Sequence, residues 1–155
     1  MTSLLTLENP VFVAYAVAAA LMVLKIMGQG WMTVVLMTRF DAGLMSPEDL
    51  RQTPFNKNPR PDQLAPHPDV ERSRRMHRND LESIPAFLAA GLIFVTTEPP
   101  FWLAVLLFSF FVLARLAHTW AYATAQNHEV RASFYSAGSI VVMFMAIWVL
   151  AVALL

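Results

Sequence analysis

Apolar residues gather into four long runs along this chain, separated by one long polar stretch and two short ones. The first run extends from about Pro10 to Met37 and is interrupted by Lys25 and the Gly28-Gln29-Gly30 step. The others cover about 81–97, 101–125 and 132–155. A helix needs roughly 20 apolar residues to cross the hydrocarbon core, with a range of about 17–25. Runs one, three and four meet that length. The second meets it if the charged turns before it continue the helix outward, from about residue 70, into the headgroup region. Pro85 lies near the start of that run, where a membrane helix tolerates a kink if neighbours satisfy the freed carbonyl. The pattern predicts an all-α membrane protein: a single domain over 1–155, built as a four-transmembrane-helix bundle.

The connections differ in character. Arg39 to Asp80 is a long polar loop, rich in proline between Pro54 and Pro68. Within it, Ser46-Pro47-Glu48-Asp49 reads as a helix start, with a serine cap, proline at the first helical position and acids in the first turn. Glu98-Pro99-Pro100 is a tight turn, and 126–131 is a short third connection. The first and third loops hold nine of the eleven Lys and Arg residues. The second loop and both termini hold none. Positive-inside reasoning therefore puts loops 39–80 and 126–131 in the cytoplasm.

Composition supports the membrane reading. Charged types make up only 14% of the chain and apolar types 57%, where soluble domains carry about a quarter charged residues. The formal net charge is zero, so nothing biases the chain toward nucleic acid. Cysteine is absent, which excludes disulfides, thiolate metal sites and a cysteine nucleophile. The first run is too long, and lacks the basic flank, for a secretory signal peptide.

Ionisable residues near the runs then carry the chemistry, because charge at membrane depth by default faces protein or a water-filled cavity. Arg75, Arg78, Asn79 and Glu82 fall at i, i+3, i+4 and i+7 and share one helical face. Arg115, His118 and Tyr122 share a face of the third run, and Arg131 and Tyr135 a face at the start of the fourth. The topology brings all three groups to the same end of the bundle, so they predict a pocket there. Arginine forks suit carboxylates, Glu82 suits an ammonium group, and the tyrosines add hydroxyl donors. A zwitterionic, carboxylate-rich small molecule fits better than a phosphate, for which there is no glycine-rich loop. No metal is expected: His77 and His118 are far apart, and His67 and His128 read as loop residues. Taken alone, His118 reads more readily as a structural hydrogen-bonding histidine than as a base. Lys25 reads as structural, satisfied by a carbonyl or a carboxylate inside the bundle.

These residues carry a family resemblance. Pro68-Asp69-Val70-Glu71-Arg72, continuing to His77-Arg78-Asn79-Asp80-Leu81-Glu82, resembles the MAPEG family of membrane-associated proteins in eicosanoid and glutathione metabolism. It is most similar to the branch of microsomal glutathione transferases and prostaglandin E synthases. Arg115-Leu116-Ala117-His118-Thr119 with Ala121-Tyr122 resembles that branch's third-helix motif. Lys25, Pro47-Glu48-Asp49 and Arg131 with Tyr135 extend the likeness over nearly the whole chain.

The resemblance implies a homotrimer that binds glutathione, as substrate or cofactor, between subunits at the cytoplasmic side. It implies glutathione contacts from Arg75, Arg78, Asn79, Glu82, His118, Tyr122, Arg131 and Tyr135, with Arg39 as a further ligand. Arg131 and Tyr135 would be the catalytic pair, Arg131 stabilising the thiolate. Asp49, Arg115 and His77 would organise the site from behind. The second substrate would be an apolar electrophile or a lipid hydroperoxide from the bilayer, in an endoplasmic reticulum or bacterial inner membrane. Three positions depart from the branch: Ala132 replaces a serine, Pro85 comes one residue early, and Phe40-Asp41-Ala42 replaces a basic run. The leading expectation is a glutathione transferase with peroxidase activity. The alternatives are a prostaglandin E synthase-like isomerase and a non-enzymatic lipid-binding member.

Overall fold

The computed structural model describes residues 4–155. Four helices account for most of it: α1 (Pro10–Phe40), α2 (Pro68–Val95), α3 (Phe101–Ala123) and α4 (His128–Leu154). Between α1 and α2 run two single 3-10 turns, Pro47–Leu50 and Pro61–Leu64. There is no strand among the described residues.

Each helix starts where local chemistry allows. The Asn9 side chain accepts from Val11 N–H at 3.0 Å, ahead of Pro10 at the first helical position. Pro68 opens α2 in the same way, with His67 Nδ1 accepting from Asp69 N–H at 3.3 Å. The Asn127 side chain accepts from Val130 N–H at 3.0 Å and opens α4. Such caps satisfy donors that the first turn cannot pair internally.

Three boundaries differ from the apolar pattern. First, α1 is unbroken through Lys25 and Gly28-Gln29-Gly30. Lys25 is paired inside the bundle, and Gly30 packs beside the His77 ring. Second, α2 is one continuous helix across its charged half and through Pro85. Third, α4 begins at His128, so the third connection is 124–127 and Arg131 sits inside the first turns of a helix, not in a loop. Hydrophobicity marks where a helix is buried, whereas capping marks where it starts.

α1 packs on α2 and α3, and α4 packs on the same two helices from the opposite corner. The core between them is aromatic. Phe87 and Phe111 stack with ring centroids 4.0 Å apart, and Phe108 meets Tyr15, Phe87 and Phe94 edge-on. Tyr15 closes the cluster by donating from its hydroxyl to Leu88 O at 2.8 Å. At the far end, Trp148 Nε1 donates to Thr97 Oγ1 at 3.1 Å.

The outer faces are apolar instead of polar. Leu24, Trp31, Leu113 and Ile147 are each more than three-fifths exposed, which is the surface of a protein solvated by lipid. α1, α3 and α4 are long and apolar enough to cross a membrane. α2 carries charge as far as Glu82, and its apolar portion is limited to 83–95. This is a multi-pass, all-helical membrane protein.

The long loop is tied down at its base. Arg60 and Gln63 both donate to the Asp41 carboxylate, at 2.8 and 2.6 Å. These bonds, Gln63 first, hold the Asp41 carboxyl below its usual range. Gly43 N–H donates to Ala65 O, and Arg74 reaches back from α2 to the Gly43 carbonyl. The Pro47–Leu50 turn replaces the helix that Ser46-Pro47 suggests. Asp49 takes the capping role, accepting from Ser46 N–H at 3.1 Å.

Candidate functional site

Six of the residues singled out by sequence meet at one end of the bundle, supplied by three helices. From α2, Asn79 Nδ2 donates to the Tyr122 hydroxyl of α3 at 2.8 Å. The Tyr135 hydroxyl of α4 donates to Glu82 Oε2 of α2 at 3.3 Å. The Arg131 guanidinium lies over the Tyr122 ring, 4.8 Å from its centroid, while its Nε donates to Asn127 O. The His118 ring packs between both tyrosines, with centroid distances of 5.0 Å to Tyr122 and 6.1 Å to Tyr135. Helical periodicity makes this possible: each contributing pair is spaced three or four residues apart and so faces one way.

The site has a buried floor. Arg115 and Asp80 are both fully buried, and Arg115 donates to Asp80 Oδ1 at 2.5 Å. Lys25 donates to the other carboxylate oxygen, also at 2.5 Å. The same Arg115 nitrogen lies 3.0 Å from His118 Nδ1. Arg115 also faces the Tyr135 ring, 5.7 Å from its centroid. The floor therefore joins α1, α2 and α3 in one charge network that ends on a residue of the site.

Asp80 is the residue that sequence reasoning passed over. It lies between Asn79 and Glu82 in the motif but off their face, turned about 100° from Asn79 into the interior of the bundle. Lys25 was the available signal. A lone lysine deep in an apolar run demands a carboxylate partner, and the nearest acids at the same depth are those of α2.

The other residues stand apart from this cluster within one chain. Arg75 and Arg78 are exposed on the outer face of α2 and make no hydrogen bond or ion pair to any described residue. Arg39 lines a separate cavity of about 420 Å³ with Met32, Leu36, Asp69, Arg72 and Met76. Tyr122 lines that cavity too, so the two regions adjoin. His77 sits against α1 at Gly30. Asp49 is spent on the loop turn. Ala132 leaves the α4 face between Arg131 and Tyr135 without a hydroxyl. No group of three or more metal-ligating side chains occurs among the described residues.

Chemically, the cluster offers a guanidinium, an amide, a carboxylate, an imidazole and two phenols. Such a set recognises a zwitterion and can hold an anionic atom beside Arg131. Comparison with known proteins places the whole chain. The chain is 35% identical over 141 residues to microsomal glutathione S-transferase 1 of Sus scrofa, covering 90% of this chain and 89% of that protein. It is 30% identical over 146 residues to prostaglandin E synthase of Homo sapiens, covering 94% and 92%. The rat prostaglandin E synthase is 32% identical over 152 residues, covering 97% and 95%. A family profile described as the MAPEG family matches residues 13–151, nearly the whole of the bundle. With four helices, polar residues converging from three of them and likeness over most of its length, this chain belongs to the MAPEG family.

Proposed function

We propose that the chain is a glutathione-dependent membrane transferase, which ionises the glutathione thiol and delivers it to apolar electrophiles or lipid hydroperoxides from the bilayer. The observation that carries this reading is the convergence of Asn79, Glu82, His118, Tyr122, Arg131 and Tyr135 at one end of the bundle. The name of one relative, microsomal glutathione S-transferase 1, supports glutathione as the substrate or cofactor.

Arg131 and Tyr135 are the catalytic pair in this reading. A thiol is a poor nucleophile until ionised, and an adjacent cation lowers its pKa. Each unit of lowering corresponds to about 1.4 kcal/mol of preference for thiolate over thiol. Arg131 spends only its Nε on protein, leaving its terminal nitrogens for the ligand. Glu82 receives the ammonium, and Asn79, His118 and Tyr122 bind the peptide portion. Arg75 and Arg78, unpaired and exposed, complete the site from the edge of α2 when three copies associate. Arg39, whose cavity adjoins the cluster at Tyr122, is a further ligand in the homotrimer. Arg115 and His77 act from behind, Asp49 by shaping the loop.

A second reading, prostaglandin E synthase-like isomerisation, is favoured by the 30% identity to that enzyme. Ala132 weighs against it, because a serine hydroxyl after the arginine is missing. The test is direct. Purified protein in lipid should bind glutathione and conjugate a generic aromatic electrophile; failure to bind glutathione at all would refute the assignment.

Two further outcomes follow. Glu82→Gln keeps size and hydrogen bonding but removes the charge that meets the ammonium. Glutathione affinity, read by calorimetry, should drop about tenfold or more, matching the roughly 1.5–3 kcal/mol of a hydrogen bond to a charged group. An unchanged affinity would reduce Glu82 to a partner of Tyr135. The second outcome is topological, with loops 39–80 and 126–131 expected in the cytoplasm. Cysteines introduced at Thr53 and Thr97 should label from opposite sides with an impermeant reagent, and labelling of both from one side would overturn the four-span model.

A further inference from the structure

We propose that Asp80 is a positioning residue of the site, fixing His118 through Arg115 as the neutral tautomer with its proton on Nε2, a hydrogen-bond donor to bound glutathione. The inference rests on the glutathione reading for the identity of the ligand, but its structural half stands independently.

The hydrogens on Arg115 decide the tautomer. A guanidinium only donates. One terminal nitrogen of Arg115 lies 2.5 Å from Asp80 Oδ1 and 3.0 Å from His118 Nδ1. That nitrogen carries two hydrogens, one for each neighbour. His118 Nδ1 must therefore accept, so its lone pair is free and the single ring proton is on Nε2. Protonating both ring nitrogens would set two donors against each other 3.0 Å apart.

Asp80 makes the arrangement stable. It is fully buried and anchors Arg115 from one side and Lys25 from the other. Without the carboxylate, Arg115 would lose its fixed orientation, and its remaining nitrogens offer no substitute hold. Nε and the other terminal nitrogen of Arg115 are buried without a hydrogen-bond partner. The pair Asp80–Arg115 thus orients the imidazole much as a carboxylate orients a metal-ligating histidine through its second nitrogen. His118 Nε2 makes no hydrogen bond to any described residue, and the ring lies between Tyr122 and Tyr135 of the site. That leaves Nε2–H as the group available to an acceptor on the ligand, and excludes His118 as the base that takes the thiol proton.

Nitrogen NMR on histidine-labelled protein in lipid tests this before any ligand is added. Removing one of the four histidines by His118→Gln identifies its signals. Wild-type His118 should show a pyridine-type Nδ1 and a pyrrole-type Nε2 near neutral pH; the reverse tautomer or an imidazolium overturns the proposal. Asp80→Asn should mix the tautomers and weaken glutathione binding about tenfold, the scale of one charge-assisted bond. A single unchanged tautomer in that variant would remove Asp80 from the role. If Asp80→Asn does not fold, the wild-type spectrum and a second pair decide. His118→Gln places an amide donor near Nε2 and should keep more glutathione affinity than His118→Asn, which places it near Nδ1. Equal losses would overturn the donor assignment. If wild-type protein shows the stated tautomer yet binds no glutathione, it is the functional reading that fails.

Discussion

Arg131→Ala should abolish the thiolate absorbance of bound glutathione near neutral pH, and conjugation with it. Ala132 supplies no hydroxyl beside the sulfur, so ionisation depends on the guanidinium over Tyr122 and on Tyr135 one turn along the helix. A cation stabilises the charged form directly, whereas a neutral hydroxyl contributes one hydrogen bond. Lowering the thiol by one to two units takes roughly 1.4–2.8 kcal/mol, which a partly desolvated guanidinium supplies. Arg131→Lys should retain part of both signals, because the charge survives while the fork geometry does not. Tyr135→Phe should have a smaller effect, and Ala132→Ser should raise thiolate content modestly. The measurement is ultraviolet difference spectroscopy at saturating glutathione. Full thiolate in Arg131→Ala would overturn the mechanism and move attention to Arg78.

Asp80→Leu should be the most destabilising single change in the bundle, and Lys25→Met far milder. The charge arithmetic explains why. Lys25 and Arg115 set two cations against one carboxylate. Deleting Asp80 leaves both cations buried without a counter-charge, and breaking a buried pair in this way costs about 3–5 kcal/mol. Deleting Lys25 leaves Arg115 and Asp80 as a neutral one-to-one pair, which is close to break-even against the desolvation it relieves. Thermal unfolding in one detergent should therefore rank wild type and Lys25→Met close together, with Asp80→Leu well below or not recoverable as folded protein. A larger loss for Lys25→Met than for Asp80→Leu would mean that the network is not the electrostatic keystone of the floor.

Much of the fold was legible in the order of residues because membranes restrict the alternatives. Backbone groups in hydrocarbon must be satisfied internally, so long apolar runs become helices, and α1, α3 and α4 lie where those runs lie. Helix starts were less legible. α4 begins four residues ahead of its apolar run because Asn127 caps it, and that places Arg131 on the same rigid helix as Tyr135. The suggested helix at Ser46-Pro47 shrinks to a single turn, since Asp49 bonds back to Ser46 and the chain leaves at Arg51.

The sequence by itself determined which residues share a face: Asn79 with Glu82, His118 with Tyr122, Arg131 with Tyr135. That follows from 3.6-residue periodicity and needs no neighbour. Only the tertiary structure decided which faces meet. Asn79 pairs with Tyr122 across α2 and α3, and Glu82 with Tyr135 across α2 and α4. Asp80 is the sharpest case: one residue from Asn79, it is turned about 100° around α2 and joins Lys25 and Arg115, distant in sequence. Periodicity states that it must point elsewhere. What it meets there depends on the packing of α1 and α3 against α2, because a charge withdrawn from both water and lipid is held only by partners that the fold brings to it.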